Sequence, residues 1–206
     1  MLELHGRRKS NYFNAAKAIL IEKNIAFEEV IEPLPPTDAF KALSPALKIP
    51  LLVTEHGPIT ETLAIVDYLE DIHPEPALAP KDAFARAKLR EIARSMELYI
   101  ELEARRGYGV FRGAEVPPSV GTAMKEGLEK YAPAIAQHTD FSPWIAGDTF
   151  TYGDIYGYFM LQYAVPAADK VAGVDLLAAL PGAQAWLKRV AERASMQRVL
   201  DEAAEG

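Results

Sequence analysis

The hydrophobic pattern of this chain changes period near residue 80, and that change constrains its architecture more than any other feature. Before it, short apolar pieces rich in Leu, Ile and Val alternate with stretches of helical spacing and with proline-containing loops, the pattern of a small α/β domain. After it, apolar residues recur every three to four positions, as in packed helices. With 206 residues, the chain suits one compact domain or two small ones sharing a core. The division falls at 1–76 and 77–206, within a linker over 72–82 that Pro74, Pro76 and Pro80 stiffen.

In the first part, residues 1–5 read as a strand and 6–10 as a polar loop. Phe13, Ala16, Ile19, Leu20 and Lys23 follow a period near 3.6 in an alanine-rich helix. Residues 27–31 form a second strand candidate, which Pro33, Pro35 and Pro36 stop. Residues 49–53 form a third, followed by a turn at Glu55-His56-Gly57 and a short return around Pro58 and Ile59. Leu63, Val66, Tyr68 and Leu69 fit the next helix. In the second part, helices are expected over 84–105 and 120–135 with a crossover at 106–118, and then over 154–164, 176–180 and 183–200. In Thr151-Tyr152-Gly153-Asp154, the Thr caps a helix while Asp154 reaches back to the cap N–H, a capping box with Asp in place of the usual Glu or Gln.

Composition removes several function classes. No cysteine is present, which excludes a disulfide framework, a thiolate metal cluster and a protein cysteine nucleophile. Lys and Arg number 22 against 29 Asp and Glu, a formal charge of −7, so nucleic acid and anionic membrane are not expected partners. His5, His56, His73 and His138 occur singly, without metal-ligand spacing, and no metal is expected. Residues 1–13 lack an apolar region after their basic residues, and Pro181, Gly182 and Gln184 interrupt the longest late apolar run. A cytoplasmic location without a membrane span is the expectation.

Five segments in order resemble the cytosolic glutathione transferase family. They are Ser10-Asn11-Tyr12-Phe13 before the first helix, Lys48-Ile49-Pro50-Leu51-Leu52, Glu61-Thr62 with the helix after it, the Gly147 to Ile155 capping segment, and Trp186-Leu187-Lys188-Arg189-Val190. The subclass they suggest is serine-type or an unassigned bacterial-like one. Departures are Asn24 where glycine is frequent, Leu47 before the basic position, Thr62 where serine is commonest, Ala194 for proline, and Lys17 for arginine. The resemblance implies a thioredoxin-like amino-terminal domain that binds glutathione and an all-helical carboxy-terminal domain with an electrophile pocket. It also implies a homodimer, with Glu70, Phe84, Arg90, Arg94 and Glu97 as interface candidates.

Such a site must hold two carboxylates and an amine, and must ionise a thiol whose free pKa is near 8.5. Ser10, at the entrance to a helix, can donate its O–H to sulfur while the helix end adds favourable potential, worth roughly 0.3–2 kcal/mol or up to about one and a half pKa units. The resemblance places Ser10 at the catalytic serine; Asn11 and Tyr12 are the neighbouring alternatives, and a plain helix cap is the structural one. It implies a cis bond before Pro50, pairing of the Ile49 main chain with the cysteinyl part of glutathione, Lys48 on the glycyl carboxylate, and Thr62 with Glu61 in support at the γ-glutamyl end. Free N–H groups at a helix start suit that last carboxylate.

The second substrate is expected to be a small hydrophobic electrophile, with Tyr99, Tyr108, Phe111, Tyr156 and Phe159 as pocket candidates and Arg105 or Arg106 facing any anionic group. The activity implied is conjugation of the glutathione thiolate, with glutathione-dependent peroxidase or isomerase chemistry as companions. The competing expectation is a non-catalytic binding or regulatory protein with the same fold.

Overall fold

A computed structural model describes residues 1–139 and 141–205. The described chain divides into two compact units. One comprises Met1–Leu78 together with the segment that begins at Glu192, and the other is Ala79–Ala191.

The first unit carries strands β1 (Leu2–Gly6), β2 (Phe27–Ile31), β3 (Leu51–Thr54) and β4 (Gly57–Thr60), and helices α1 (Asn11–Glu22), α2 (Asp38–Leu43) and α3 (Thr62–Ile72). The sheet order is β2-β1-β3-β4. β1 and β2 are parallel, with α1 as their crossover, whereas β3 runs antiparallel to both β1 and β4. Leu4, Leu51 and Leu52 from the sheet and Phe13, Ile19, Leu20, Ile65, Val66 and Leu69 from the helices are fully buried. This αβ core is thioredoxin-like in layout. Gly6 is required where α1 crosses the end of β1, because an added Cβ would stand 2.1 Å from the Phe13 ring.

Asn24 ends the α1 segment with φ 56°, the left-handed conformation that a short polar side chain tolerates best after glycine. That accounts for its place at a position where glycine is frequent. Thr37 caps α2 by accepting from Phe40 N at 3.1 Å, and Phe40 is the one buried residue of that short helix. Sequence periodicity gave no warning of α2, because six residues bury only one apolar side chain.

The second unit contains α4 (Ala83–Ser95), a π-helical segment over Met96–Glu101, α5 (Leu102–Arg105), a 3₁₀ turn over Tyr108–Arg112, α6 (Pro118–Ile135), α7 (Tyr152–Ala167), a second π-helical segment over Ala168–Ala172, and α8 (Ala183–Ala191). α7 is the central helix, with Ile155, Tyr156, Phe159, Met160, Leu161 and Ala164 buried around it. At its start the capping box forms, and Asp154 accepts from Thr151 N at 2.8 Å. The buried carboxylate also accepts from Ile145 N and from Trp186 Nε1, both at 2.7 Å. Burial pushes Asp154 above the ordinary carboxylate range, while these donors pull the other way.

Three sequence expectations are corrected. Residues 176–180 form a turn and not a helix, since Pro181 and Gly182 follow directly and Asp175 Oδ1 caps the turn from Ala178 N at 3.0 Å. Residues 183–200 are two helices, α8 and α9 (Ala194–Glu205), separated at 192–193. Finally, α9 belongs to the first unit, which a cut at 76/77 assigned wholly to residues before it. Glu22 of α1 accepts from Ser195 and from Arg193, and Lys17 of α1 reaches Glu202. Met196 and Val199 are buried.

No helix among the described residues is long and apolar enough to cross a membrane.

Candidate active site

Strand register brings three separated segments to one end of the sheet. His5 of β1 lies opposite Leu51 of β3, and Leu51 lies opposite Thr60 of β4. The loop leaving β1 toward Ser10, the segment Lys48–Pro50 entering β3, and Glu61-Thr62 leaving β4 therefore share that end of the sheet. All lie within the first unit.

Ser10 is the N-cap of α1, with extended backbone (φ −95°, ψ 119°), and its Oγ accepts from Phe13 N at 3.3 Å. The structural alternative for Ser10 is thus realised, yet capping uses only an acceptor lone pair, and the O–H donor is a separate capacity. Asn11 is buried and Tyr12 half-buried in the first turn. The Ile49–Pro50 peptide is cis. Lys48 is exposed, and its carbonyl accepts from Ser44 Oγ at 3.0 Å.

Glu61 has φ 70° and ψ 118°, the left-handed side of the map for a residue with a Cβ. It is the N-cap of α3 and supplies no side-chain cap hydrogen bond. The leading N–H groups of α3 are thereby left without the usual carboxylate or hydroxyl acceptor at that position, with Thr62 buried as the first helical residue.

In the second unit, Tyr108, Phe111 and Tyr163 form an aromatic triangle with ring centroids 5.7–5.9 Å apart. The Arg105 guanidinium lies 5.2 Å from the Tyr108 ring centre. Arg105 is itself held by Glu101, which is fully buried, through Nε at 3.1 Å and a second bond from the same guanidinium. Arg106, the other candidate from sequence, instead pairs with Glu103 at 3.1 Å. Burial, with Glu101 adding to it, pushes the Tyr108 phenol up, so it stays a hydroxyl. Its buried oxygen has no hydrogen-bond partner among the described residues.

Tyr99 stacks on Tyr131 at 4.9 Å. Tyr156 and Phe159 are buried in α7. Tyr163 and Glu101, which touch Tyr108 and Arg105 respectively, were not among the candidates from sequence. The signal for Tyr163 was its spacing of 4 from Phe159 and 7 from Tyr156 on one face of α7; Glu101 had none, since a fully buried acid mimics a solvent-facing one in sequence.

Among the described residues no group of three or more His, Asp and Glu is placed to hold a metal ion. His5 is buried between carboxylates, with Nδ1 2.7 Å from Glu32 and Nε2 3.2 Å from Glu3.

A four-stranded thioredoxin-like αβ unit followed along the chain by a helical unit defines a class of two-part folds. Comparison with known proteins agrees: residues 4–77 match the family model for the glutathione S-transferase N-terminal domain, and residues 85–189 match that for its C-terminal domain. The chain is 37% identical over 201 residues to a glutathione S-transferase of Pseudomonas putida, covering 97% of this chain and 91% of that one. It is 29% identical over 165 residues to the glutathione S-transferase GstA of Escherichia coli, 79% and 77% of the two chains. Among solved structures, a glutathione S-transferase from Rhodospirillum rubrum matches with a TM-score of 0.78 and 26% identity, over 97% of this chain and 92% of that one. The chain belongs to the glutathione S-transferase family.

Proposed function

We propose that this protein conjugates the thiolate of glutathione to a small hydrophobic electrophile. The observation that carries the reading is the convergence of Ser10, Lys48–Pro50 and the start of α3, which has no side-chain cap, at one end of the sheet. Ser10 keeps Oγ as acceptor for Phe13 N and turns its O–H to the glutathione sulfur, with Asn11 and Tyr12 as the flanking groups. The main chain of Ile49 pairs with the cysteinyl unit, Lys48 meets the glycyl carboxylate, and Thr62 with the first N–H groups of α3 holds the γ-glutamyl carboxylate, supported by Glu61. The bound thiol loses its proton to solvent, sulfur attacks the electrophilic carbon, and the leaving group departs with the bonding pair.

Tyr108, Phe111 and Tyr163, with Arg105 beside them, are the residues we assign to the electrophile, and Tyr99 is a further contact on the exposed face of that unit. Buried Tyr156 supports the pocket from α7, and Arg106 serves its rim through Glu103. The protein acts as a cytoplasmic homodimer, needs no metal, and takes no nucleic acid or membrane partner. Peroxidase or isomerase chemistry with the same thiolate is a secondary activity of this site. The relatives named maleylpyruvate isomerase in Ralstonia, 32% identical over 127 residues, and glutathione S-transferase in Pseudomonas putida favour enzymes over a non-catalytic binding protein.

Calorimetric titration with reduced glutathione and with S-hexylglutathione tests the reading. Saturable binding of both, weakened in Thr62→Ala, together with turnover lost in Ser10→Ala, is expected. Absence of binding at millimolar ligand would overturn it and leave a binding or regulatory protein on this fold.

A further inference from the structure

We propose that Glu202, in the last helix, is a positioning residue for the Ser10 loop and acts on it through a chain of ions. The proposal rests on reading Ser10 as the thiol donor.

The chain starts at Lys17, whose side chain is 1% exposed and whose Nζ bonds Glu29 at 2.8 Å and also Glu202. Glu29, on β2, accepts the Arg8 fork through Nε at 3.0 Å and Nη2 at 3.2 Å. Arg8 stands two residues before Ser10. Its carbonyl accepts Asn14 Nδ2 at 2.7 Å, and the neighbouring Arg7 carbonyl accepts Ser10 N at 2.9 Å. The loop between β1 and α1 thus has its backbone pinned from α1 and its Arg8 side chain pinned from β2.

Charge decides what happens when α9 stops contributing. With Glu202 in place, two cations, Arg8 and Lys17, face the carboxylates of Glu29 and Glu202, Arg198 on α9 itself also pairs with Glu202 at 2.9 Å, and Glu205 adds attraction on Arg8. Without the Glu202 charge both cations compete for Glu29. The buried Lys17 has no water to turn to and holds that carboxylate. The Arg8 side chain, 33% exposed, is the partner that can be released to solvent. Loss of one carboxylate in α9 is therefore transmitted to the loop that aims Ser10, while α9 itself stays docked through Glu22 with Arg193 and Ser195 and through Met196 and Val199.

The test compares wild type, Glu202→Gln and Glu202→Asp as full chains. Hydrogen exchange of the free proteins should show amides in residues 8–14 opening about fivefold faster or more in the Gln variant, the scale of one weakened charge-assisted bond, with recovery in the Asp variant. Titrating the thiolate absorbance of bound glutathione should show its pKa displaced upward in the Gln variant, with kcat falling and KM for glutathione nearly unchanged. Unaltered loop exchange would overturn the proposal. So would a thiol pKa that is unchanged or displaced downward, the direction that a through-space effect of the excess positive charge alone would give. A wild type that binds no glutathione sinks the transferase reading and with it the catalytic half of this one, whereas the exchange arm still reports whether α9 governs the loop.

Discussion

Ser10 serves the fold and the proposed chemistry through different atoms, and the two can be separated by substitution. Its oxygen accepts from Phe13 N, so Ser10→Ala should cost about 0.5–2 kcal/mol in stability, in addition to any loss of turnover. Ser10→Asp keeps a good cap and removes the O–H donor. Its melting temperature should stay near wild type while conjugation is lost; full activity in that variant would remove Ser10 from the thiol-activating role. Thr62 is expected to act on affinity. Thr62→Val should weaken glutathione binding about tenfold or more by calorimetry, as expected for one hydrogen bond to a charged group, and wild-type affinity would take the hydroxyl out of the site. At Trp186, replacement by Phe removes a donor from the buried Asp154 and should lower unfolding free energy by about 1–3 kcal/mol in denaturant titration. What was easiest to recognise in sequence was local placement, such as Ser10 before a helix and Thr62 opening the helix that follows a strand. Which of Arg105 and Arg106 meets Tyr108, and that Tyr163 joins it, was not legible, because a helical stripe names a face and not the partner that the face meets.

The elements show the same division between local and distant causes. The capping box of α7 was legible because both of its members lie within four residues, and the strands were legible through their alternating apolar runs. The break between α8 and α9 was not, since Glu192 and Arg193 are ordinary helix formers; at the break Arg193 and Ser195 bond Glu22 of α1, a partner 171 and 173 residues away in sequence. Docking of α9 should also be acid-sensitive. Burial alone would raise Glu29, but the bonds from Arg8 and Lys17 outweigh it and hold the carboxyl below its ordinary value of 4.5. Glu202 is held down likewise by Lys17 and Arg198 against its own burial. A depressed carboxylate contributes its stabilisation above the unfolded-state value and loses it as pH falls through the folded one. Thermal stability should therefore be flat from neutral pH to about 5 and decline below the ordinary glutamate range, more steeply in wild type than in Glu202→Gln. Parallel pH curves for the two proteins would show that the Lys17 cluster contributes nothing to that decline.

At the scale of the molecule, the switch in hydrophobic period near residue 80 disclosed a mixed αβ part followed by helices, and the order of five short segments identified the family. The return of the last helix to the first unit lay beyond such reading, because an ion pair between residues 17 and 202 leaves no periodic trace in either segment. A homodimer is the assembly we expect. Phe84 is 75% exposed, and Leu98 and Leu102 further along the chain are also exposed, apolar side chains of the kind that a second copy covers. Sedimentation should give twice the mass of one chain, with Phe84→Glu shifting the protein toward monomer; a wild type that sediments as a single chain would rule the dimer out. The discontinuity of the first unit also sets a timetable for synthesis. Lys17 leaves the ribosome early, and its second carboxylate follows 185 residues later, the difference between positions 202 and 17. At about 5–20 residues per second, that is roughly ten to forty seconds. Throughout that interval the glutathione-binding half exists without its closing helix, so nascent chains stalled before residue 192 should be cut by protease within residues 1–78 far more readily than released protein.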